Sequence, residues 1–245
     1  PCAGTGEAKT RGVGPCAQSE EALSCVNCFV LLTKQMADYL RIDKPYCVME
    51  GISSPETSGA QNTIEDKKII LYTGTLHEKF GVMNLVRAFR TIDSENYELI
   101  ICGVGDSEGA IKAAAKEDSR IHFLGKLPRE QVLELQSRAP VLVNPRQNNE
   151  EFTKYSFPSK TMEYLSSGVP LVAYKLDGIP DEYDRYIQYV EDDSIESLKK
   201  KIVEVCEIPK KERDDMGALG RVFVLTEKNS TAQTKKIVKL IEELL

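Results

Sequence analysis

The sequence has no long run of apolar residues and no tract of basic ones. Its longest apolar stretches, such as Ile69–Tyr72, have the length of a β-strand, which excludes a transmembrane helix. Its formal net charge is −6. This balance argues against a nucleic-acid partner, because phosphate backbones are bound by basic surfaces. Residues 1–15 lack the apolar centre of a secretory signal, and the chain starts at Pro1, so we interpret it as part of a longer protein.

Cysteine is present in an odd number, seven. Cys102 lies in an apolar stretch and Cys206 in an amphipathic one, so both are expected to be buried thiols. Cys25 and Cys28 have the C-x-x-C spacing of zinc and redox sites, but no histidine is near and the two upstream cysteines fit no zinc motif. We therefore expect no metal site, and a reduced, cytoplasmic protein.

From residue 67 onward, strand and helix patterns alternate. Six apolar runs are mostly continuous, which is typical of strands buried on both faces of a parallel sheet. Between them, Val82–Thr91 has apolar residues at the i, i+3, i+4, i+7 spacing of a helix. This order predicts an α/β fold, a Rossmann-like doubly wound parallel sheet of about six strands. The predicted strands are Lys68–Thr73, Tyr97–Gly103, Ile121–Leu124, Val141–Asn144, Leu171–Tyr174 and Ile187–Val190.

The residues before this pattern are organised differently. Phe29–Thr33 and Tyr46–Met49 are predicted strands, with a helix at Lys34–Leu40 between them. Ser53–Glu65 is rich in Ser, Thr, Gly, Asn and Gln, which is the composition of a linker. Two strands do not form an independent core. We therefore predict three parts: a leader and the remnant of a larger N-terminal domain (1–51), a linker (52–66), and a complete α/β domain (67–245) outside which the first two strands pack.

Two glycine turns follow predicted strands. In residues 72–81, Gly74 would let a ligand approach the backbone, the following helix start would attract an anion, and Lys79 would add a charge for a phosphate. The alternative is an ordinary loop with an exposed lysine. Residues 102–106, C-G-V-G-D, lack the third glycine of a dinucleotide fingerprint. For Asp106 we favour a role in a tight turn.

The longest motif spans residues 152–173. Pro158 suits the first turn of a helix and Gly168 suits its end. Lys160 and Glu163 are three residues apart and share a face, and one helical turn advances ~5.4 Å. That is about the step from the diphosphate to the ribose of one nucleotide, so the cation could neutralise phosphate and the carboxylate could accept hydrogen bonds from ribose. The alternative is a surface ion pair that contributes only tenths of a kcal/mol.

The run S-F-P-S-K-T-M-E-Y-L-S-S-G-V-P at residues 156–170 resembles the donor motif of the family-4 glycosyltransferases, the retaining enzymes of GT-B type. The resemblance extends, in order, from Phe29 to Leu245. It includes the end of the family's acceptor domain (29–36), the strand before the interdomain linker (46–51), the first donor-domain loop (74–81), the segment whose backbone meets the nucleobase (121–125) and a turn after a later strand (176–183).

The resemblance implies roles for particular residues. Glu163 is similar to the second acid of the family's E-x7-E motif, which binds ribose. Lys79, Lys160 and Arg146 would act in catalysis by stabilising the charge on the leaving diphosphate, without a metal; the sequence also has no Asp-x-Asp metal motif. The implied nucleotide-binding residues are Gly74, Thr75, Ser156, Ser159 and Glu163.

Two positions depart from the family pattern. Tyr155 stands where the first acid of E-x7-E would be, and Thr75 stands where many members have arginine. The contact to the donor sugar is therefore open, and Glu150, Glu151 or a polar backbone group are alternatives for it.

The resemblance implies the donor half of a glycosyltransferase that moves a hexose, with retention, from a UDP-sugar or GDP-sugar. The acceptor would be a glycan, a lipid-linked sugar or a small molecule, and the reaction would belong to bacterial polysaccharide synthesis. It would be bound by the missing N-terminal domain, so this chain alone is expected to be inactive. We expect no cofactor, a cytoplasmic location, and in the full-length protein a peripheral association with the inner face of the membrane. The alternatives are a nucleotide-sugar 2-epimerase of GT-B architecture and a non-catalytic nucleotide-binding module.

Overall fold

The structure, a computed structural model, describes residues 25–54 and 67–245. Near the N-terminus, β1 (Phe29–Leu31) and β2 (Tyr46–Val48) form a two-stranded parallel sheet, and α1 (Lys34–Leu40) connects them. This small sheet is separate from the main one, as the sequence predicts. The predicted leader and residues 55–66 of the predicted linker lie outside the described residues.

The main sheet has six strands in the order β5-β4-β3-β6-β7-β8, and all neighbours are parallel. The predicted α/β fold is thus confirmed, and no strand end differs from its predicted position by more than two residues. The largest shift is at the end of β3, which continues past Thr73 beside β4. The strands are β3 (Lys68–Thr75), β4 (Tyr97–Val104), β5 (Ile121–Gly125), β6 (Val141–Asn144), β7 (Leu171–Ala173) and β8 (Ile187–Tyr189).

Seven further α-helices follow in the described residues, and six of them belong to the main domain's two helix groups. They are α2 (Val82–Arg90), α3 (Glu108–Glu117), α4 (Arg129–Arg138), α5 (Ser159–Ser167), α6 (Ile195–Glu207), α7 (Lys210–Glu227) and α8 (Ser230–Glu242). One group, α2, α3 and α6, packs together, and α4, α5 and α7 form a second group. Right-handed crossovers on either side of a central strand place such groups on opposite faces of the sheet. In residues 25–54 and 67–245, no helix is both long and apolar enough to cross a membrane.

The core lies between the sheet and these two helix layers. The central strands contribute continuous apolar runs, and their side chains, such as Ile70, Leu71 and Leu142, are almost fully buried. The apolar face predicted for α2 is buried too, including Leu85 and Phe89. Cys102 and Cys206 lie in this core, as predicted, and burial raises the pKa of Cys102 to about 11. Burial of this kind supplies most of the favourable free energy of folding.

The strand order reverses between β3 and β6. These two strands pair only through Ile70 with Val141 and Leu71 with Leu142, so they diverge toward their carboxyl ends. In open α/β sheets, the crevice at such a reversal is where ligands bind, because the loops after the two strands leave in opposite directions. A ligand is therefore expected beside the loops after β3 and β6 and the start of α5.

Candidate functional site

Gly74, near the end of β3, allows close packing at the mouth of the crevice. A Cβ atom built on Gly74 would lie 3.5 Å from Lys160 Cε and 3.3 Å from the Tyr72 hydroxyl oxygen. A real side chain would have to extend between these groups. The absence of a side chain thus lets the Lys160 side chain, from the first turn of α5, lie directly against the end of β3.

A tyrosine from α5 fixes that helix to β3. The Tyr164 hydroxyl accepts a hydrogen bond from Thr73 N (2.8 Å) and donates one to Thr73 O (2.8 Å). It thereby satisfies backbone groups at the place where β3 and β6 separate. Tyr164 is fully buried, and burial raises the pKa of its phenol. Because Lys160 is one helical turn earlier, this anchor also fixes where Lys160 lies.

Glu163 accepts hydrogen bonds from two side chains through one oxygen. Its Oε1 lies 2.8 Å from Lys160 Nζ and 2.6 Å from Gln136 Nε2. Its other oxygen, Oε2, is 4.0 Å from an Arg129 nitrogen. Burial alone would raise the pKa of Glu163, but the charge of Lys160 and the hydrogen bonds from Gln136 and Lys160 outweigh it, and the pKa is lowered. Glu163 is therefore an ionised acceptor at neutral pH.

Gln136 ties this carboxylate to β3. It is fully buried in α4, and its Nε2 also donates to Thr73 Oγ1 (2.7 Å). Nothing in the sequence identifies Gln136, since a single glutamine in an amphipathic helix carries no motif. The same holds for the contact between Tyr164 and Thr73, which depends on how α5 packs.

Arg146, two residues after β6, is a buried cation without a carboxylate. Its side chain is 9 % exposed as a residue average, and no salt bridge to it is formed by the residues that the structure describes. One nitrogen donates to Ser156 Oγ (2.8 Å), and its buried Nε has no hydrogen-bond partner within the same residues. Burial lowers the pKa of Arg146, partly offset by Tyr72. A buried cation of this kind is unfavourable unless an anion joins it.

Lys79 and Arg146 meet at one aromatic ring. Lys79 Nζ and Arg146 Cζ lie 5.4 and 4.7 Å from the centroid of Phe152, within the range of cation–π attraction. Gly81 makes this packing possible: it has φ +78°, and a Cβ there would lie 2.0 Å from Pro145 O. The loop after β3 and the loop after β6 are therefore in direct contact.

Tyr72 joins the two halves of the candidate site. Its hydroxyl lies beside Gly74 and donates to Thr75 O (2.8 Å). Burial raises the pKa of Tyr72, and the charge of Arg146 partly opposes that rise. The structure thus brings together most of the predicted residues in two neighbouring groups at the carboxyl ends of β3 and β6. The first group is Gly74, Lys160 and Glu163, and the second is Lys79, Arg146 and Ser156.

The remaining predicted residues lie at the edges. Thr75 is exposed at the end of β3. Ser159 is also exposed and lines, with Glu163, a cavity of about 300 Å³ between α4, α5 and residues 50–54. Glu150 lines a second cavity, of about 430 Å³, that also includes Lys79. Tyr155 packs against Tyr39 of α1, with ring centroids 4.5 Å apart.

The turn of residues 102–106 is structural, in agreement with the interpretation favoured for it. Asp106 accepts hydrogen bonds from His77 Nδ1 (2.9 Å) and from the backbone N of Glu78 (3.1 Å). It thereby holds the loop that contains Lys79. Within the described part of the chain, no group of three or more His, Cys, Asp or Glu side chains is arranged to hold a metal ion.

Comparison with known proteins identifies a family for the chain. Residues 53–223, more than half of the chain, match the family described as glycosyl transferases group 1. A sequence search of curated proteins gave no match.

Several solved structures share the fold. A sucrose-phosphate synthase from Thermosynechococcus elongatus has a TM-score of 0.73 at 19% identity, over 92% of this chain and 60% of its own. A TarM variant from S. aureus, in complex with Fondaparinux, alpha-GlcNAc-glycerol and UDP, has a TM-score of 0.73 at 15% identity, over 91% of this chain and 46% of its own. WaaG, a glycosyltransferase involved in lipopolysaccharide biosynthesis, has a TM-score of 0.65 at 17% identity, over 84% of this chain and 60% of its own. The chain thus spans 46% to 60% of these proteins.

Proposed function

Because the chain belongs to the group 1 glycosyltransferases, we propose that it is the donor-binding half of a retaining family-4 enzyme. In this proposal the crevice between β3 and β6 binds the diphosphate of a UDP-sugar or GDP-sugar. The observation that carries the proposal is Arg146, a buried guanidinium with no carboxylate partner in residues 25–54 and 67–245.

A diphosphate supplies what Arg146 lacks. A guanidinium has several N–H donors in a planar fork that fits phosphate oxygens. Lys79 lies over the same Phe152 ring and adds a second cation. The first turn of α5, with Ser159 and Lys160, offers free backbone N–H groups and a third cation. Three cations, supplied by two loops and one helix near the carboxyl ends of β3 and β6, would favour an anion with more than one charge.

In this proposal Glu163 binds the ribose. Its Oε1 is held by Lys160 and Gln136, so Oε2 is oriented by the same contacts while remaining an acceptor. A carboxylate with a lowered pKa accepts hydrogen bonds from hydroxyl groups at neutral pH without being protonated itself. The cavity next to Glu163 would receive the remainder of the nucleoside.

The same cations would assist the reaction. When the bond between the donor sugar and the diphosphate breaks, negative charge grows on the leaving diphosphate. Arg146, Lys79 and Lys160 are already in place before the reaction, so they stabilise that charge without reorganising. The resemblance to family 4 implies retention of configuration, and the anomeric configuration of the product tests it. Glu150, beside Lys79, is the candidate for a contact to the donor sugar.

A calorimetric titration tests the proposal directly. We expect UDP or GDP to bind this chain, and the corresponding nucleoside, uridine or guanosine, to bind far more weakly because it lacks the diphosphate. The presence of UDP in a TarM structure supports testing UDP first. Equal affinity for nucleotide and nucleoside would contradict a diphosphate site, and binding of neither would contradict the donor role.

The chain by itself is proposed to bind without transferring sugar. A glycosyltransferase site of this type needs a facing domain that positions the acceptor, a glycan or a lipid-linked sugar, and positioning accounts for ~7–11 kcal/mol of barrier lowering. Residues 25–54 supply only a two-stranded sheet and one helix. A radiolabelled-transfer assay should therefore detect slow donor hydrolysis at most. Transfer to an acceptor at a faster rate would overturn this expectation. Peripheral membrane association remains a prediction for the full-length protein.

A further inference from the structure

A buried ion pair joins residues 25–54 to the C-terminal part of the main domain. Lys228, directly after α7, and Glu50, two residues after β2, have side chains that are each about 1% exposed. Lys228 Nζ lies 2.5 Å from Glu50 Oε1 and also pairs with Glu182. The Tyr183 hydroxyl donates to the same Glu50 oxygen (2.9 Å). Charges so far from water are stable only while each retains its partners.

Hydrogen bonds from the same place hold the residues that follow Glu50. Ser53 N donates to Lys228 O (2.7 Å), and Gln233 Nε2, from α8, donates to Gly51 O (2.7 Å). The Ser53 hydroxyl lies 3.0 Å from that of Ser166 in α5. Apolar packing contributes little here, since Ile52 is exposed. Residues 50–54 are therefore held to α5, α7 and α8 mainly by polar contacts.

Residues 50–54 form one wall of the cavity beside Glu163. Glu50, Gly51, Ile52 and Ser54 line it, opposite α4 and α5. The fit is tight, because a Cβ on Gly51 would lie 3.3 Å from Met162 Cε. Lys228 does not line the cavity, but its Nζ pairs with Glu50, which does.

We propose that Lys228 is a positioning residue for the nucleoside end of the donor site, and that it acts by holding residues 50–54 as the wall of this cavity. The inference rests on the proposed nucleotide-binding function. Without the Lys228 charge, Glu50 would lose its nearest cation, while the next one, Lys236 Nζ, lies 3.9 Å from Oε2. The buried carboxylate would then gain free energy by moving toward water. Glu50 is continuous with the wall, so the wall would move with it.

The test is Lys228→Met, which keeps most of the side-chain volume and removes the charge. Hydrogen exchange should show lost protection at the amides of residues 50–54, and calorimetry should show about a tenfold weaker affinity for whichever of UDP and GDP the unaltered chain binds. The matched control is Ile202→Val, which alters a fully buried residue in α6, in the opposite helix layer. It should leave both measurements unchanged, although it lowers global stability.

A conservative rescue separates positioning from simple destabilisation. In the double variant Glu50→Gln/Lys228→Met neither charge remains, so the wall should recover its protection and the nucleotide its affinity. If Lys228→Met does not fold, Gln233→Leu removes the hydrogen bonds from Gln233 to Gly51 O (2.7 Å) and Glu50 Oε2 (3.4 Å). It should shift both measurements in the same direction by a smaller factor. Unchanged protection, or lost protection with unchanged affinity, would overturn the positioning role. Failure of the proposed function is seen separately, as absence of UDP and GDP binding by the unaltered chain.

Discussion

The main α/β domain and the N-terminal residues 25–54 are held in place by different forces. In the main domain, whole strands are apolar and buried, as in β6, and two helix layers cover the sheet. In residues 25–54, Leu31 and Ala37 are the buried apolar residues, while Val30 and Leu32 are exposed. The polar residues Glu50 and Ser53, by contrast, are buried. The first region is held by its core and the second by polar contacts to its neighbour.

This difference indicates which kind of contact positions the candidate site. Apolar burial is non-directional and defines a scaffold, whereas polar contacts fix particular atoms. The candidate site has polar contacts of this kind, although it lies inside the domain that apolar burial holds together. At the crevice, Tyr164, Gln136 and Arg146 are polar groups buried in a domain that is otherwise apolar. Substitutions at these groups therefore test whether buried polar contacts fix the candidate site.

The largest effect on stability is expected for Tyr164→Phe. The change removes a hydroxyl that bonds both the N–H and the C=O of Thr73. Leaving buried backbone groups without that partner should lower the free energy of unfolding by about 2–5 kcal/mol. Urea denaturation measures the loss. The control is Tyr186→Phe, whose ring stacks on Phe223 and which should lose less than about 1 kcal/mol. Equal losses would show that the Tyr164 hydroxyl does not anchor α5.

Arg146→Met should change binding and stability in opposite directions. Affinity for UDP or GDP should fall about a hundredfold, ~2.7 kcal/mol, because a buried charged donor to phosphate is lost. Stability without nucleotide should stay equal or rise, since a buried cation without a carboxylate partner in the described residues is removed. Calorimetry and thermal unfolding give the two values. Arg87→Met, at an exposed arginine of α2, is the control and should change neither. A less stable Arg146→Met protein with full affinity would contradict the diphosphate site.

The sequence predicts the apolar core better than it predicts the buried polar contacts. Continuous apolar runs predict all six strands, because burial on both faces requires that pattern. Pro158 and Gly168 predict the ends of α5, and Gly168 has the left-handed conformation, φ 79°, that ends helices. The burial of Arg146 and the contact of Gln136 with Glu163 could not be predicted, since they depend on how loops and helices from distant parts of the chain pack.

Glu163→Ala should weaken nucleotide binding more than folding. Loss of the proposed ribose acceptor should lower affinity for UDP or GDP about tenfold, ~1.4 kcal/mol. The ion pair with Lys160 is partly exposed, and the buried Gln136 Nε2 keeps its hydrogen bond to Thr73 Oγ1, so the substitution should cost the fold less than about 1 kcal/mol. Glu134→Ala is a matched control, because it removes an exposed i,i+4 pair with Arg138 on α4, away from the crevice. If the control weakened binding as much as Glu163→Ala, the ribose role would be wrong.

The smallest expected effect concerns acid. Burial alone would raise the pKa of Glu50, but the hydrogen bond and charge of Lys228, with the hydrogen bond from Tyr183, outweigh it, and the folded-state pKa is lowered. Glu50 therefore contributes stability that is fully present above its unfolded pKa of about 4.5 and is lost as pH falls through the lower folded value. The free energy of unfolding should therefore fall between pH 6 and pH 3.5, and part of that fall should come from this group. Glu50→Gln, which cannot titrate, should show a shallower fall over the same range in urea titrations, whatever its stability at pH 6. Parallel curves for the two proteins would mean that the ionised carboxylate does not hold residues 50–54, and that the polar attachment of the N-terminal region depends on its neutral hydrogen bonds alone.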